Sequence, residues 1–128
     1  MTTWLIATFL IAHGAVHLAV WLPPSPTDAE RQAPFAPDHS AVLTRTKVPQ
    51  AASHVVAVRL AVAATVAYVL AGLAVALGSG WTVALAAVAA IIGLALKLIF
   101  FNPWLSLGVL LDAAVLSAAL WSWPVTLT

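Results

Sequence analysis

Two histidines, His13 and His17, stand four residues apart in a segment that is otherwise almost entirely apolar, residues 4–21. Four residues are about one turn of an α-helix, so both imidazoles would lie on the same helix face. Imidazole nitrogens ligate metals, carry protons and form hydrogen bonds. The pair therefore marks the segment in which the chemistry of this chain is concentrated.

A single carboxylate, Asp112, is embedded in another apolar segment, eight residues after Trp104. At ~1.5 Å per residue, it would lie about 12 Å from that end of a helix. An isolated carboxylate at such a depth in a bilayer costs at least ~2.5–3.5 kcal/mol. Asp112 must therefore be protonated or paired inside the protein. We expect Arg59 to be its first partner, with His13 or His17 as the second.

His54 and Lys97 are the other polar residues near the ends of apolar segments. We expect His54 to be interfacial and Lys97, one turn before Phe101, to extend its ammonium to the headgroups. Gly108, one turn before Asp112, would leave room beside the carboxyl group. Placed by depth, the polar side chains converge in one half of the membrane. The predicted buried cluster comprises His13, His17, His54, Arg59 and Asp112.

Three kinds of chemistry remain open for this cluster. Zinc accepts two histidines and a carboxylate with an open water position, so its ligands would be His13, His17 and Asp112. The glutamate of a His-Glu-x-x-His motif is missing, which disfavours a metallohydrolase. Haem would need a second axial histidine, and His54 does not match the depth of the pair. Without a cofactor, which is the reading we favour, the cluster would bind a quinone, an isoprenoid or a lipid headgroup, or relay protons.

The composition indicates an integral membrane protein. Of 128 residues, 63% are hydrophobic and only 7% are charged, whereas soluble domains carry about 25% charged residues. The mean hydropathy is +1.06. A net charge of +1 gives no indication of a nucleic-acid partner, and the absence of cysteine excludes disulfides and thiolate metal sites. The chain starts without a basic segment, so we do not expect its first apolar run to be a cleaved signal peptide.

Helix-breaking residues divide the chain into four apolar runs, each close to the ~20 residues that cross a bilayer. The predicted spans are 3–22, 50–77, 81–101 and 104–123, with one long loop at 23–49. Short connections make the second, third and fourth spans antiparallel neighbours. We therefore predict one all-α membrane domain, 1–128, folded as a four-helix transmembrane bundle. Small residues at four-residue spacing, such as Ala89 and Gly93, favour close helix contacts.

All basic residues fall on one side of this layout: Arg31, Arg45, Lys47, Arg59 and Lys97. The positive-inside rule then places the long loop in the cytoplasm and both termini outside. Tryptophans predict the two interfacial belts. The outer belt comprises Trp4, Trp81, Trp121 and Trp123, and the inner belt comprises Trp21 and Trp104.

Several short motifs resemble those of small bacterial four-span membrane proteins that have no assigned activity. They are the AHGAVHL sequence at 12–18, the Pro34–Ser40 stretch of the loop, and Asn102-Pro103-Trp104-Leu105 followed by Gly108-x-x-x-Asp112. The resemblance covers most of the chain. It implies that the histidine pair, the proline–tryptophan corner and the aspartate belong to one recurring site, and it implies no catalytic residue.

The leading functional hypothesis is a small polytopic membrane protein whose buried polar pocket binds a small membrane-soluble or headgroup ligand. The first alternative is a non-catalytic subunit or scaffold of a membrane complex, in which the polar groups only fix packing. The second is a membrane-embedded enzyme that uses the same cluster. The expected partners are the lipid bilayer, a lipophilic ligand, and another membrane protein or a second copy of the chain.

Overall fold

Four long helices and one short helix form the described part of the chain, which comprises residues 1–22 and 40–122 of this computed structural model. The helices are α1 (Thr2–Trp21), α2 (Ala41–Arg45), α3 (Gln50–Ala76), α4 (Thr82–Ile99) and α5 (Ser106–Leu120), with a 3-10 turn at Pro103–Leu105. These two ranges contain no strand. Four helices, the last extended by the 3-10 turn, are long and apolar enough to cross a bilayer. The predicted all-α bundle of a multi-pass membrane protein is confirmed.

The helices end where the sequence supplies breakers. Gly78 follows α3 with a positive φ of 63°, a conformation that glycine adopts without steric cost. After α4, the Asn102 side chain accepts a hydrogen bond from the Trp104 backbone N–H at 3.0 Å. Pro103, whose φ suits a first helical turn, follows that cap. These bounds differ from the predicted spans by a few residues, while Arg31 and Trp123 lie outside the described residues.

The helices pack in chain order, because α3 contacts both α1 and α4, and α5 contacts α4. Alanines dominate the buried face of α3, at Ala57, Ala61, Ala64 and Ala71. Their small side chains let the backbones approach closely, which is how helices associate without a hydrophobic driving force in lipid. By contrast, α1 and α5 make few close backbone contacts, so a seam runs between these two helices.

Two apolar layers fill the interior at different depths. The layer nearer the Gly78–Gly80 turn, called the outer layer, includes Leu10, Tyr68 and Val75. The layer nearer α2, called the inner layer, includes Trp21, Leu96 and Phe100. Large aliphatic residues face outward; they include Leu5, Val66, Leu70, Leu98, Leu110 and Leu120. An apolar surface of this kind fits a lipid environment.

The prediction that Trp21 belongs to an interfacial belt is wrong. Trp21 is 1% exposed and packs in the inner layer, whereas Trp104 is 76% exposed, as a belt residue requires. Trp21 lies one turn after His17, on the α1 face that is buried against the bundle. Its position in the sequence is that of a belt residue, but its helix face turns it inward.

The end of the long loop is attached to the bundle through Ser40. Its hydroxyl caps α2 by accepting the Leu43 backbone N–H at 3.2 Å and donates to the Ile99 carbonyl oxygen at the end of α4. That carbonyl has no partner within its own helix, because helices leave their last C=O groups unpaired. Ser40 thus joins the chain before α3 to the end of α4.

A Gly72→Ala substitution tests the close approach of α1 and α3. A Cβ at this position would lie 2.6 Å from Ile11 Cγ1 and 2.9 Å from the Ala7 carbonyl oxygen. The two helices must then separate, and overpacking of this kind costs about 1–3 kcal/mol. We expect a loss of that size in the unfolding free energy, measured by denaturant titration in mixed micelles.

Gly80→Ala is the matched control for this substitution. Gly80 is exposed, and a Cβ there meets no atom within 4 Å, so its unfolding free energy should change by less than about 0.5 kcal/mol. Equal effects of the two substitutions would contradict the described α1–α3 packing.

Candidate functional site

The structure brings His13, His17 and Asp112 together between the two apolar layers. His13 and His17 lie on the buried face of α1, and Asp112 is buried on α5. Asp112 has no exposed surface, and the two histidines are 7% and 1% exposed. The structure therefore places these three residues of the predicted cluster together.

Asp112 accepts three hydrogen bonds from three different helices. His13 Nε2 and the Tyr68 hydroxyl each lie 2.7 Å from Asp112 Oδ1. The Lys97 ammonium lies 2.6 Å from Asp112 Oδ2. A carboxylate only accepts hydrogen bonds, so His13 Nε2 and the Tyr68 hydroxyl are donors here. Both oxygens are satisfied, which removes most of the cost of burying the charge.

Lys97 also joins His17 to the cluster. The His17 Nδ1–H donates to the His13 backbone carbonyl at 2.9 Å, since a carbonyl oxygen can only accept. In a neutral imidazole the other nitrogen is then an acceptor, and Lys97 Nζ donates to His17 Nε2 at 2.6 Å. With both histidines neutral, one ammonium and one carboxylate balance. The polar cluster, defined as His13, His17, Tyr68, Lys97 and Asp112, then has no net charge.

Lys97, and not Arg59, is the cation that pairs with Asp112. Arg59 is exposed, and the described residues give it no hydrogen bond or ion pair. The buried face of α3 passes through Ala57 and Ala61. Arg59 is two residues from each of them, about 160–200° around the helix at 3.6 residues per turn. The expected Arg59–Asp112 pair is therefore corrected to Lys97–Asp112.

His54 is likewise not part of the cluster. Its side chain is half-buried, five residues N-terminal to Arg59 and near the start of α3. The described residues give it no hydrogen bond or ion pair with His13, His17 or Asp112. The polar cluster forms without it, and its interfacial position stays a prediction.

The expectation that Lys97 extends to the headgroups is wrong, because helical side chains lean toward the helix N-terminus. Lys97 lies near the C-terminal end of α4, so its side chain points back into the membrane. Asp112, about 9 Å into α5 at ~1.5 Å per residue, leans toward the start of that helix. The two side chains converge from antiparallel helices. Lys97 is only 4% exposed.

Two glycines provide the space that this pair occupies. A Cβ on Gly93 would collide with Asp112 Oδ2 and lie 2.9 Å from His17 Nε2. A Cβ on Gly108 would lie 2.5 Å from Lys97 Cε. Gly108 therefore makes room for the lysine stem, and Gly93, predicted only as a packing residue, makes room for the carboxylate.

Tyr68 is the residue that sequence reasoning missed. It is the only tyrosine of the chain, it is fully buried, and its ring contacts both histidine rings with centroid distances of 4.9 and 5.4 Å. It lies seven and four residues after Ala61 and Ala64, on the buried face of α3. A polar aromatic residue on the small-residue face of a predicted span was the available signal.

The polar cluster has the donor spacing of a metal site but holds its own cation. Ligand atoms of His13, His17 and Asp112 all lie within 4.8 Å of one another. Within the same three residues, His17 Nε2 and Asp112 Oδ2 already accept hydrogen bonds from Lys97 at 2.6 Å. The ammonium supplies the positive charge that a metal would bring, so a metal at this position requires displacement of Lys97.

Two clefts follow the seam between α1 and α5. The inner cleft has a volume of about 250 Å³ and is lined by His13, His17 and Lys97 together with apolar residues that include Val16, Leu107 and Leu111. The outer cleft, about 230 Å³, is almost entirely apolar and is lined by residues that include Phe9, Leu111, Val115 and Ala118. Leu111 borders both clefts. The buried polar cluster therefore forms part of the wall of the inner cleft.

No protein-family model matches the chain, and neither the curated proteins nor the solved structures contain a significant match. The resemblance to small bacterial four-span proteins therefore stays a prediction. Function has to be argued from the geometry of the site.

A Lys97→Met substitution tests the buried ion pair. It leaves Asp112 without a cation in an apolar interior, and breaking a buried pair in this way costs about 3–5 kcal/mol. Arg59→Met removes a charge of the same sign from the exposed face of α3 and should cost less than about 0.5 kcal/mol. Both effects are measured as unfolding free energies in mixed micelles.

The double variant Lys97→Met/Asp112→Asn distinguishes pairing from general damage. Its destabilisation should be smaller than the sum of the two single effects by about 0.5–3 kcal/mol, because the second change removes the charge that the first left unpaired. Additive effects, or equal effects of Lys97→Met and Arg59→Met, would contradict the assignment.

Proposed function

We propose that this membrane protein binds a small lipophilic ligand in the inner cleft, with the polar end of the ligand against the polar cluster. One observation carries the proposal. A cleft of about 250 Å³ lies directly against three buried polar side chains, His13, His17 and Lys97. Binding sites for small molecules typically combine an apolar lining with a few convergent polar groups.

The position of the cleft supports access from the bilayer. It lies on the seam where α1 and α5 make few close backbone contacts. Residues along its edge face the lipid, with Val16 54% and Leu107 69% exposed. A lipophilic molecule would enter sideways between the two helices and would not have to cross the charged surface.

The residues of the polar cluster have different roles in this proposal. Asp112 already accepts three hydrogen bonds and has no exposed surface. It therefore positions His13 and Lys97 and does not contact a ligand itself. His13 and Lys97 line the cleft and are the residues that would meet the ligand.

A scaffold function is the second candidate, and the saturation of Asp112 favours it. A structural ion pair needs its charges satisfied within the protein, and this one has a cation and two further donors. In that case the polar cluster fixes the register of four helices, and the clefts have no ligand. The two functions differ in whether the inner cleft holds a molecule.

A Leu107→Trp substitution tests whether the inner cleft is occupied. Leu107 lines the cleft, and an indole there would fill it. Leu110→Trp is the matched control, since Leu110 is equally exposed, at 66% against 69%, but lines neither cleft.

Native mass spectrometry of the protein released from membranes should detect a one-to-one small-molecule adduct. We expect the bound fraction to fall at least about tenfold in Leu107→Trp, the equivalent of ~1.4 kcal/mol, and to persist in Leu110→Trp. A wild-type protein without any adduct would favour the scaffold.

We further infer that α2 and the α4–α5 connection face the cytoplasm and that the Gly78–Gly80 turn faces outside. Arg45 and Lys47 lie at the end of the bundle that carries α2, whereas the turn after α3 has no basic residue. The positive-inside rule gives this orientation.

The absence of cysteine makes the orientation directly measurable. Single Gly80→Cys and Thr46→Cys substitutions place a thiol at opposite ends of the bundle, both at exposed positions. With a membrane-impermeant maleimide, we expect labelling of Gly80→Cys in intact cells and of Thr46→Cys only after permeabilisation. The reverse pattern would invert the orientation and leave the cleft argument unchanged.

A further inference from the structure

Two polar groups of the buried cluster retain unused hydrogen-bonding capacity. An ammonium carries three N–H donors, and the described residues provide acceptors for two of those of Lys97, namely Asp112 Oδ2 and His17 Nε2. His13 donates through Nε2, so its neutral imidazole keeps Nδ1 as an acceptor. Lys97 is 4% and His13 7% exposed. Groups buried to this extent normally have their hydrogen bonds satisfied.

The unused capacity amounts to one donor and one acceptor beside the same cleft. Lys97 and His13 both line the inner cleft. A complementary ligand group therefore offers an acceptor for the Lys97 N–H and a donor for His13 Nδ1. A carboxylic acid has both on one carbon, because its C=O accepts and its O–H donates.

Charge balance points to the same group. With neutral histidines, the Lys97 ammonium and the Asp112 carboxylate already neutralise each other. A ligand with a permanent charge would add an unpaired charge to an apolar interior, which is strongly unfavourable. A carboxylic acid brings its own proton. The net charge of the site is unchanged whether that proton stays on the acid or moves from its hydroxyl oxygen to His13 Nδ1.

The outer cleft suits the rest of such a molecule. Leu111 borders both clefts, so an apolar chain that starts at the inner cleft can continue past it. The outer cleft extends along α5 and reaches Ser122, just past the end of that helix. From Leu111 to the last helical residue, Leu120, nine residue steps cover about 14 Å at ~1.5 Å per residue, close to half of the ~30 Å hydrocarbon core of a bilayer. That is the length over which one acyl chain extends in one leaflet.

We propose that the ligand is a long-chain fatty acid, with its carboxyl group at Lys97 and His13 and its acyl chain along the α1–α5 seam. This inference rests on the proposed function and specifies the chemical class of the ligand. A quinone carbonyl only accepts and leaves His13 Nδ1 unpaired. A phospholipid brings two chains and a phosphate charge that the neutral cluster does not balance.

The test compares ligands and not only protein variants, so it does not depend on the folding of a variant. Purified wild-type protein in lipid nanodiscs is titrated with oleic acid, methyl oleate and a decyl-substituted benzoquinone, and binding is read by native mass spectrometry. The methyl ester keeps the chain and the C=O but lacks the O–H. We expect oleic acid to bind one-to-one and the ester and the quinone to bind at least about tenfold more weakly, since an unpaired buried polar group costs more than the ~1.4 kcal/mol that a tenfold change represents.

A spectroscopic measurement locates the carboxyl group. Oleic acid labelled with ¹³C at its carboxyl carbon should show a protein-bound ¹³C resonance separate from that of the lipid-dissolved acid. This resonance should disappear in Leu107→Trp and remain in Leu110→Trp. In His13→Leu, which has no acceptor for the acid O–H, the preference for acid over ester should fall to about onefold.

The outcomes separate this inference from the proposed function. Equal binding of acid and ester, or tighter binding of the quinone, overturns the fatty-acid assignment while cleft binding stands. Binding of nanodisc phospholipid alone overturns it as well. If no probe binds and no molecule co-purifies, the proposed function fails together with the inference.

Discussion

The ion pair between Lys97 and Asp112 is the constraint on which the rest of the bundle depends. Each charge alone would cost about 2.5–3.5 kcal/mol in the apolar interior, so each residue destabilises the bundle when the other is absent. Their contact at 2.6 Å fixes α4 against α5 in one register. A Cβ on either glycine that faces this pair, Gly93 or Gly108, would force side chains of the cluster to move, and the tyrosine and histidine donors complete the carboxylate's hydrogen bonds.

The helices and the meeting of His13, His17 and Asp112 could be predicted from the sequence, because both depend on local or one-dimensional information. Prolines, glycines and an asparagine cap fix the ends of the spans. A carboxylate that cannot reach water must have a partner at its own depth, and depth follows from counting residues along a helix.

Depth alone could not predict which cation pairs with Asp112, because the depth of a residue does not tell in which direction its side chain points. Arg59 and Lys97 are both basic residues near the same end of the bundle. On α3, whose N-terminal end lies at that side, a side chain leans outward to the headgroups, and Arg59 is exposed. On α4 the same rule turns Lys97 inward. Helix polarity would have distinguished the two residues, whereas Tyr68, Trp21 and the clefts depend on how the helices rotate and pack.

The arrangement contains more than a structural ion pair needs. A lysine and an aspartate alone would balance charge and fix the register of α4 and α5. This cluster adds a histidine that accepts from the lysine and another that donates to the aspartate, and both line a cleft. Polar groups in a dry interior are costly unless they are fully bonded. The surplus donor and acceptor beside the inner cleft are the groups that the proposed ligand would satisfy.

The neutrality of the cluster determines the kind of selectivity that such a site can have. A site with excess positive charge attracts any anion over a long range and loses strength in salt. A balanced site buried at 0–7% exposure discriminates through hydrogen bonds, because a ligand that lacks one matching group leaves a buried partner unpaired. Discrimination of this kind separates an acid from its ester, although the two molecules share the same chain. The carboxylate of Asp112 makes this possible from within the protein, because it balances the charge of Lys97 and orients His13. The cleft therefore presents hydrogen-bonding groups of a cluster that has no net charge.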